Sequence, residues 1–326
     1  RTHPAVAVDL ARPDRPIGPL GFLVQGLRRR REAGAEPFTV LCCDNLPANG
    51  RVLRRLVLEL AEALDPDLAL WIGANVAFPS SMVDRIVPAA TDETRARASA
   101  LIGAEDVLAV ETEPFIQWVI EDRFPQGRPA WDRAGAVMVR DVEPYEKMKL
   151  RLLNGSHTLI AHLGILHGLD YVRDVMAVPA LAAQVHDHMK AAATLDPVPG
   201  IDLDAYMDQL IARFANPAIA HRTIQIAMDS TQKLPQRILA PAVQALPQGA
   251  DAFAHAVGVW IAALADRGQA DDPRAAELMA AVAAMPQDDP SAPFFALPGL
   301  FPAPLVESRA WRDRVNATVR RFGESR

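Results

Sequence analysis

Cysteine is almost absent: two residues in 326, adjacent at Cys42 and Cys43. Neighbouring thiols cannot make a disulfide framework, so a reducing, cytoplasmic setting is expected. They end the apolar run PFTVLCC, where a thiol packs as a small hydrophobe. An excess of basic charge is missing too. The formal balance is −6, which gives no electrostatic case for nucleic acid or an anionic membrane. The one basic run, Arg28 to Arg31, suits the end of a solvated helix. No apolar segment reaches membrane-spanning length, and no opening stretch reads as a signal sequence. GxSxG, P-loop and glycine-rich dinucleotide patterns are all absent. His157, His162 and His167 recur every five residues, which splays imidazoles around a helix. No metal site is expected.

What is present alternates strand and helix up to about residue 140, then turns wholly helical. Strands are expected at 37–43, 74–79, 107–112, 115–120 and 135–140, with helices at 20–31 and 51–64 between them. The opening stretch, RTHPAVAVDLARPDRPIGPL, has no clear period and reads as connecting chain. Beyond 140 the expected helices are 144–168, 177–193, 203–214, 219–230, 235–245, 250–266, 273–284 and 306–322. The fold class is thus α/β followed by all-α, divided as 1–140 and 141–326.

One helix dominates: PYEKMKLRLLNGSHTLIAHLGIL, from Pro144, with Asp141 placed to cap it. It is apolar nearly all round, and therefore buried. Lys149, Asn154 and His157 are set into it. At about 100° per residue Asn154 lies roughly 140° from Lys149, with His157 roughly 80° round between them. They can line one cavity, and Gly155 allows a close approach there. The competing reading, of about equal weight on spacing alone, is that Lys149 snorkels outward and His157 is a satisfied core residue.

Three other polar concentrations stand out. DNLPANG, residues 44–50, follows a strand end, the edge where open α/β sheets bind ligands. Asn45 is placed to reach a ligand, while Asn49 reads as a turn residue only. SSMVDRI carries Asp84, whose plainer role is a partner for Arg85. HRTIQIAMDSTQKLPQR puts Arg222, Gln225, Asp229 and Lys233 on one helical stripe, more often a solvated face than a site.

Together, CDNLPANG, NVAFPSSMVDRI, the K-x4-N-x2-H helix and HRTIQIAMDSTQKLPQR resemble the mannitol dehydrogenase family of polyol-specific long-chain dehydrogenases. The resemblance covers nearly the whole chain and is nearest to the fructuronate reductase (D-mannonate oxidoreductase) branch. It implies a Rossmann-type nucleotide domain, of which 1–140 would be the C-terminal part, joined to the helical domain 141–326 with the active site between them. It also implies metal-independent hydride transfer with NAD or NADP, within carbohydrate metabolism. Lys149 is then the general base, Asn45 and Asn154 steady the oxygen that becomes negative, and His157 orients the substrate. Asp84 and Lys233 contact substrate, Glu146 relays the proton to solvent, and Asn45 and Val83 meet the cofactor. Burial on an apolar helix would lower the lysine pKa towards a working value.

Two departures are instructive. The family's glycine-rich loop has no counterpart, so the expectation is a chain that begins inside the nucleotide domain. A truncated, non-catalytic homologue without dinucleotide binding is the alternative. Gln225 stands where neutral-polyol enzymes resemble one another in having Arg, so Arg222 or Arg237 is expected to meet a sugar-acid carboxylate. Ser230 replaces the glycine usual in that branch. A small sugar acid or polyol is the expected partner of a monomer or small homo-oligomer.

Overall fold

Apolar periodicity becomes packed helix through most of the chain, described at residues 3–198 and 200–323 in a computed structural model. Residues 1, 2, 199 and 324–326 lie outside the described residues. The chain forms two compact units, Arg1–Arg85 with Ile116–Glu146, and Ile86–Phe115 with Lys147–Arg326. Residues 86–115 pack with the helical unit.

In the first unit, helices Pro19–Glu32, Asn49–Leu64 and Pro66–Asn75 bury Val24, Leu27, Val57, Leu60, Leu68 and Ile72 together with Phe78. The opening stretch is not connecting chain. Pro4–Ala11 is helical, capped by the His3 side chain, and the buried Asp9 carboxylate accepts from Ile17 N and Gly18 N at 2.7 and 3.2 Å. It satisfies backbone donors at the head of the next helix.

The sheet is small. β1 (Ser81–Asp84) pairs antiparallel with β2 (Gln117–Glu121), and β2 pairs parallel with β3 (Val137–Val139). Met82, Val119 and Val142 form its apolar cluster. The expected strand at 37–43 is extended without a ladder, joined to 74–79 by a bond from Val40 N to Ala77 O of 2.9 Å. Residues 107–112 form no strand either. Val107, Leu108 and Val110 face solvent, and Leu108 N is taken by the Asp106 side chain. Strand identity depends on a partner strand, which propensity alone does not supply.

In the helical unit Asp251–Arg267 is the axis, packed against Ser156–Leu166 and Arg309–Gly323 around the fully buried Trp260. The 86–115 excursion is fastened within this unit by one ion pair. Glu113 is 2 % exposed and Arg213 7 %; the guanidinium donates to both carboxylate oxygens at 2.7 and 2.9 Å. Ile86 N donates to the same carboxylate. Such a pair costs desolvation to form, but removing one partner is worth roughly 3–5 kcal/mol of destabilisation. No helix among the described residues is long and apolar enough to cross a membrane.

Candidate functional site

The dominant helix runs continuously over 143–166, begun by a bond from Glu143 N to the Asp141 carboxylate. Its middle is not α-helical. Lys149–Gly155 is a π-helix, flanked by α-helix Glu143–Met148 and Ser156–Leu166. In π geometry the backbone closes from residue i to i+5, so each residue turns less about the axis than in an α-helix. Lys149 and Asn154 are five apart. The separation of roughly 140° expected for an ideal α-helix is therefore narrowed by the π register.

Lys149 is 8 % exposed, which excludes the outward-snorkelling reading. Asn154 is half-buried, and its backbone carbonyl accepts from the Thr158 hydroxyl at 3.0 Å. A second π-helix, Pro235–Leu239, packs against the first. Gly155 permits the contact: a Cβ there would lie 3.2 Å from Arg237 O and 3.0 Å from His188 Nε2. Arg237 Nη1 reaches the Thr158 hydroxyl at 3.3 Å and Asn154 O at 3.5 Å. Burial pushes its pKa down to about 10.

His157 is 5 % exposed, with Phe214 at 4.4 Å and His221 at 5.1 Å between ring centroids. Burial first, then His221, Arg237 and Arg213, holds its pKa well below the usual imidazole range. It is a neutral donor–acceptor at physiological pH.

The expected stripe of Arg222, Gln225, Asp229 and Lys233 does not exist as a helix face. Helix Thr223–Ala227 stops where Met228 turns extended and Asp229 enters the left-handed region at φ 53°, and a new helix starts at Ser230. Met228 is 42 % exposed. Asp272 builds this break, accepting from Thr231 N at 2.7 Å, from both the Thr231 and Ser230 hydroxyls, and from Arg274 N. Arg222 and Gln225 are exposed, whereas Lys233 is half-buried, donating to Ile226 O and Met228 O. Burial lowers its pKa. No carboxylate among the described residues ion-pairs with Lys233 or Arg237.

In the first unit Asp84 is 3 % exposed and closes β1. Val83 is half-buried beside it, and Asn45 lies on an exposed loop. Asn49, expected to serve only as a turn residue, is 1 % exposed and ties these pieces together. Its amide donates to Cys42 O, Asp44 O and Ser81 O at 3.1, 2.8 and 2.8 Å, and its oxygen accepts from Ser81 N at 3.0 Å. Only its place within DNLPANG pointed to it. Both oxygens of Glu146 accept from Ala48 N at 3.1 Å, at the head of a 16-residue helix. Burial nevertheless raises the Glu146 pKa, so this carboxyl is poised nearer to neutrality than an exposed glutamate.

Two family models match the chain, the mannitol dehydrogenase Rossmann domain over residues 12–133 and the mannitol dehydrogenase C-terminal domain over 141–288. The chain belongs to the mannitol dehydrogenase family. The D-mannonate oxidoreductase of Escherichia coli K12 is 49% identical over 259 residues, 79% of this chain and 53% of that protein. The oxidoreductase YeiQ of the same organism is 52% identical over 241 residues, 73% of this chain and 49% of its own length. Among solved structures, a Pseudomonas fluorescens mannitol 2-dehydrogenase in ternary complex with NAD and D-mannitol aligns with a TM-score of 0.81 at 34% identity. That alignment covers 99% of this chain and 67% of the other. This mannitol dehydrogenase family chain spans about half the length of the curated relatives it matches.

Proposed function

We propose that the protein works as an NAD(P)-dependent oxidoreductase in carbohydrate metabolism, interconverting a sugar acid or polyol with its keto form. Fructuronate/D-mannonate is the first substrate pair and mannitol/fructose the second. The observation that carries this reading is the π-helical register that brings buried Lys149 and Asn154 towards one side of the helix, one turn before neutral His157. General base, oxyanion donor and orienting imidazole then act from one helix.

The dinucleotide, when bound, supplies the hydride acceptor for oxidation and the donor for reduction. Asn45, a carboxamide on an exposed loop, and Val83, half-buried in β1, fit the amide-bearing nicotinamide end and would hold it. In oxidation Lys149 Nζ takes the substrate hydroxyl proton as hydride leaves the same carbon. Asn154 and Asn45 donate to the oxygen as it gains charge. His157 orients that oxygen, Asp84 and Lys233 hold neighbouring hydroxyls, and Glu146 exchanges the proton with solvent. No step requires a metal. Lys233 and Arg237, cations without an ion-paired carboxylate among the described residues, favour an acidic substrate. A cytoplasmic setting, as a monomer or small homo-oligomer that binds neither nucleic acid nor membrane, completes the reading.

The deciding measurement is a panel of D-mannonate, D-mannitol and their keto forms with NAD and NADP. Turnover of mannonate well above mannitol is expected. Turnover of neither, with folded protein, would reject the assignment.

A further inference from the structure

The helical unit contains a second imidazole beside His157. His221 is held there by backbone and side-chain bonds on both flanks. Val172 N donates to His221 O at 3.0 Å, Tyr171 and Arg222 form an isolated bridge, and Thr223 N donates to Asp170 O at 2.9 Å. The Thr223 hydroxyl adds bonds to Leu169 O and Asp170 O. Gly164 admits Thr223 against the lysine-bearing helix, because a Cβ at 164 would lie 2.5 Å from Thr223 Cγ2. His221 is thus fixed relative to His157 by tightly packed neighbours.

The two rings meet edge to face at 79°, with centroids 5.1 Å apart. Each carries a buried nitrogen without a hydrogen-bond partner among the described residues, Nε2 of His157 and Nδ1 of His221. One such orphan costs about 1–3 kcal/mol, so two on adjoining rings suggest a shared guest. Burial keeps both imidazoles neutral. Neutral rings offer one donor and one acceptor each. A hydroxyl group complements such a pair, because it donates to one nitrogen and accepts from the other.

We propose that His221 is a second substrate-contacting imidazole, and that with His157 it grips one hydroxyl of the polyol chain. The proposal rests on the sugar-acid or polyol reading above. It adds a contact, absent from the expected site, that recognises the carbon chain through a neutral hydroxyl and leaves charge recognition to Lys233 and Arg237.

The test is nitrogen-detected NMR of imidazole-labelled protein titrated with D-mannonate, and separately with D-mannitol, in the presence of NAD. Both His157 and His221 ring nitrogens should shift. His221→Phe should weaken binding about three- to tenfold, the share of one hydrogen bond, with Tm unchanged, and His221→Asn should retain part of the affinity. If Phe at 221 perturbs folding, the Asn variant and the wild-type titration decide. A response at His157 with silence at His221, or wild-type affinity in both variants, overturns the proposal and leaves the functional reading intact. Silence at both rings with either ligand overturns both.

Discussion

Two segments carry the candidate site residues of the helical unit, and they fold by opposite rules. Over 143–166 the helix never breaks, and its π-helical middle shifts the register between Lys149 and Asn154. Over 221–239 the helix breaks at Met228–Asp229, and two of its four polar residues are released to solvent. The first segment is apolar nearly all round, so every turn is held by packing. The second is half polar, and Asp272 takes its backbone and hydroxyl donors at the break. Burial preserves continuity and tolerates an irregular register. Partial exposure lets local hydrogen bonds decide the path.

The largest effect expected from breaking this contrast is at the continuous helix. Lys149→Ala should lower kcat by about 10²–10⁴-fold with little change in cofactor affinity, and added primary amines should restore part of it. Steady-state kinetics across amine concentrations checks this, and a variant within threefold of wild type removes the base assignment. At the broken segment the two arginines should separate. Arg237→Ala should lower kcat/KM for mannonate about ten- to a hundredfold, whereas exposed Arg222→Ala should change it less than about twofold. Equal losses would restore Arg222 to the site.

The junction of the two π-helices comes next. Gly155→Ala forces Arg237 O or His188 to move and should cost about 1–3 kcal/mol, read as a fall in the denaturant midpoint. Buried histidines add an acid limit to the same helix. His162 and His188 have pKa values lowered by burial to about 4, and His157 is shifted the same way. Each is depressed on folding, so its contribution is present above the unfolded value near 6.5 and is lost as pH falls towards 4. Thermal scans from pH 7 to pH 4.5 should show Tm dropping steeply below about 6.5, and a flat profile would contradict this. The smallest effect is expected at Asp229→Gly. Relief of the left-handed backbone and the added chain entropy offset each other within about 0.5 kcal/mol.

The same contrast explains what was legible in the sequence. Apolar spacing reveals that a helix passes through Lys149, Asn154 and His157, and that it is buried. It does not reveal the π register, because the composition of one widened turn matches that of the α-turns beside it. The break at Asp229 lacks both Pro and Gly, and its cause, Asp272, lies forty-three residues downstream. β1 was hidden for a related reason: four residues with Ser81 and Asp84 at its ends do not look like a buried strand, yet both are buried. Helix Pro66–Asn75 was not expected from the sequence. Asp65 ends one helix and caps the next through Leu68 N, but Asp-Pro reads first as a stop. Asn49 needed the Ser81 carbonyl, 32 residues downstream, as well as those of Cys42 and Asp44, before its role was visible.

The Glu113–Arg213 pair spans 100 residues of chain. At a synthesis rate of about 5–20 residues per second, Glu113 leaves the ribosome roughly 5–20 s before the arginine that will neutralise it. During that interval the 86–115 excursion has no helical unit to join, and its exposed Leu101, Ile102 and Leu108 are available to other nascent chains. The buried ion pair therefore sets a waiting time on synthesis, during which a holding chaperone would have its greatest influence on yield.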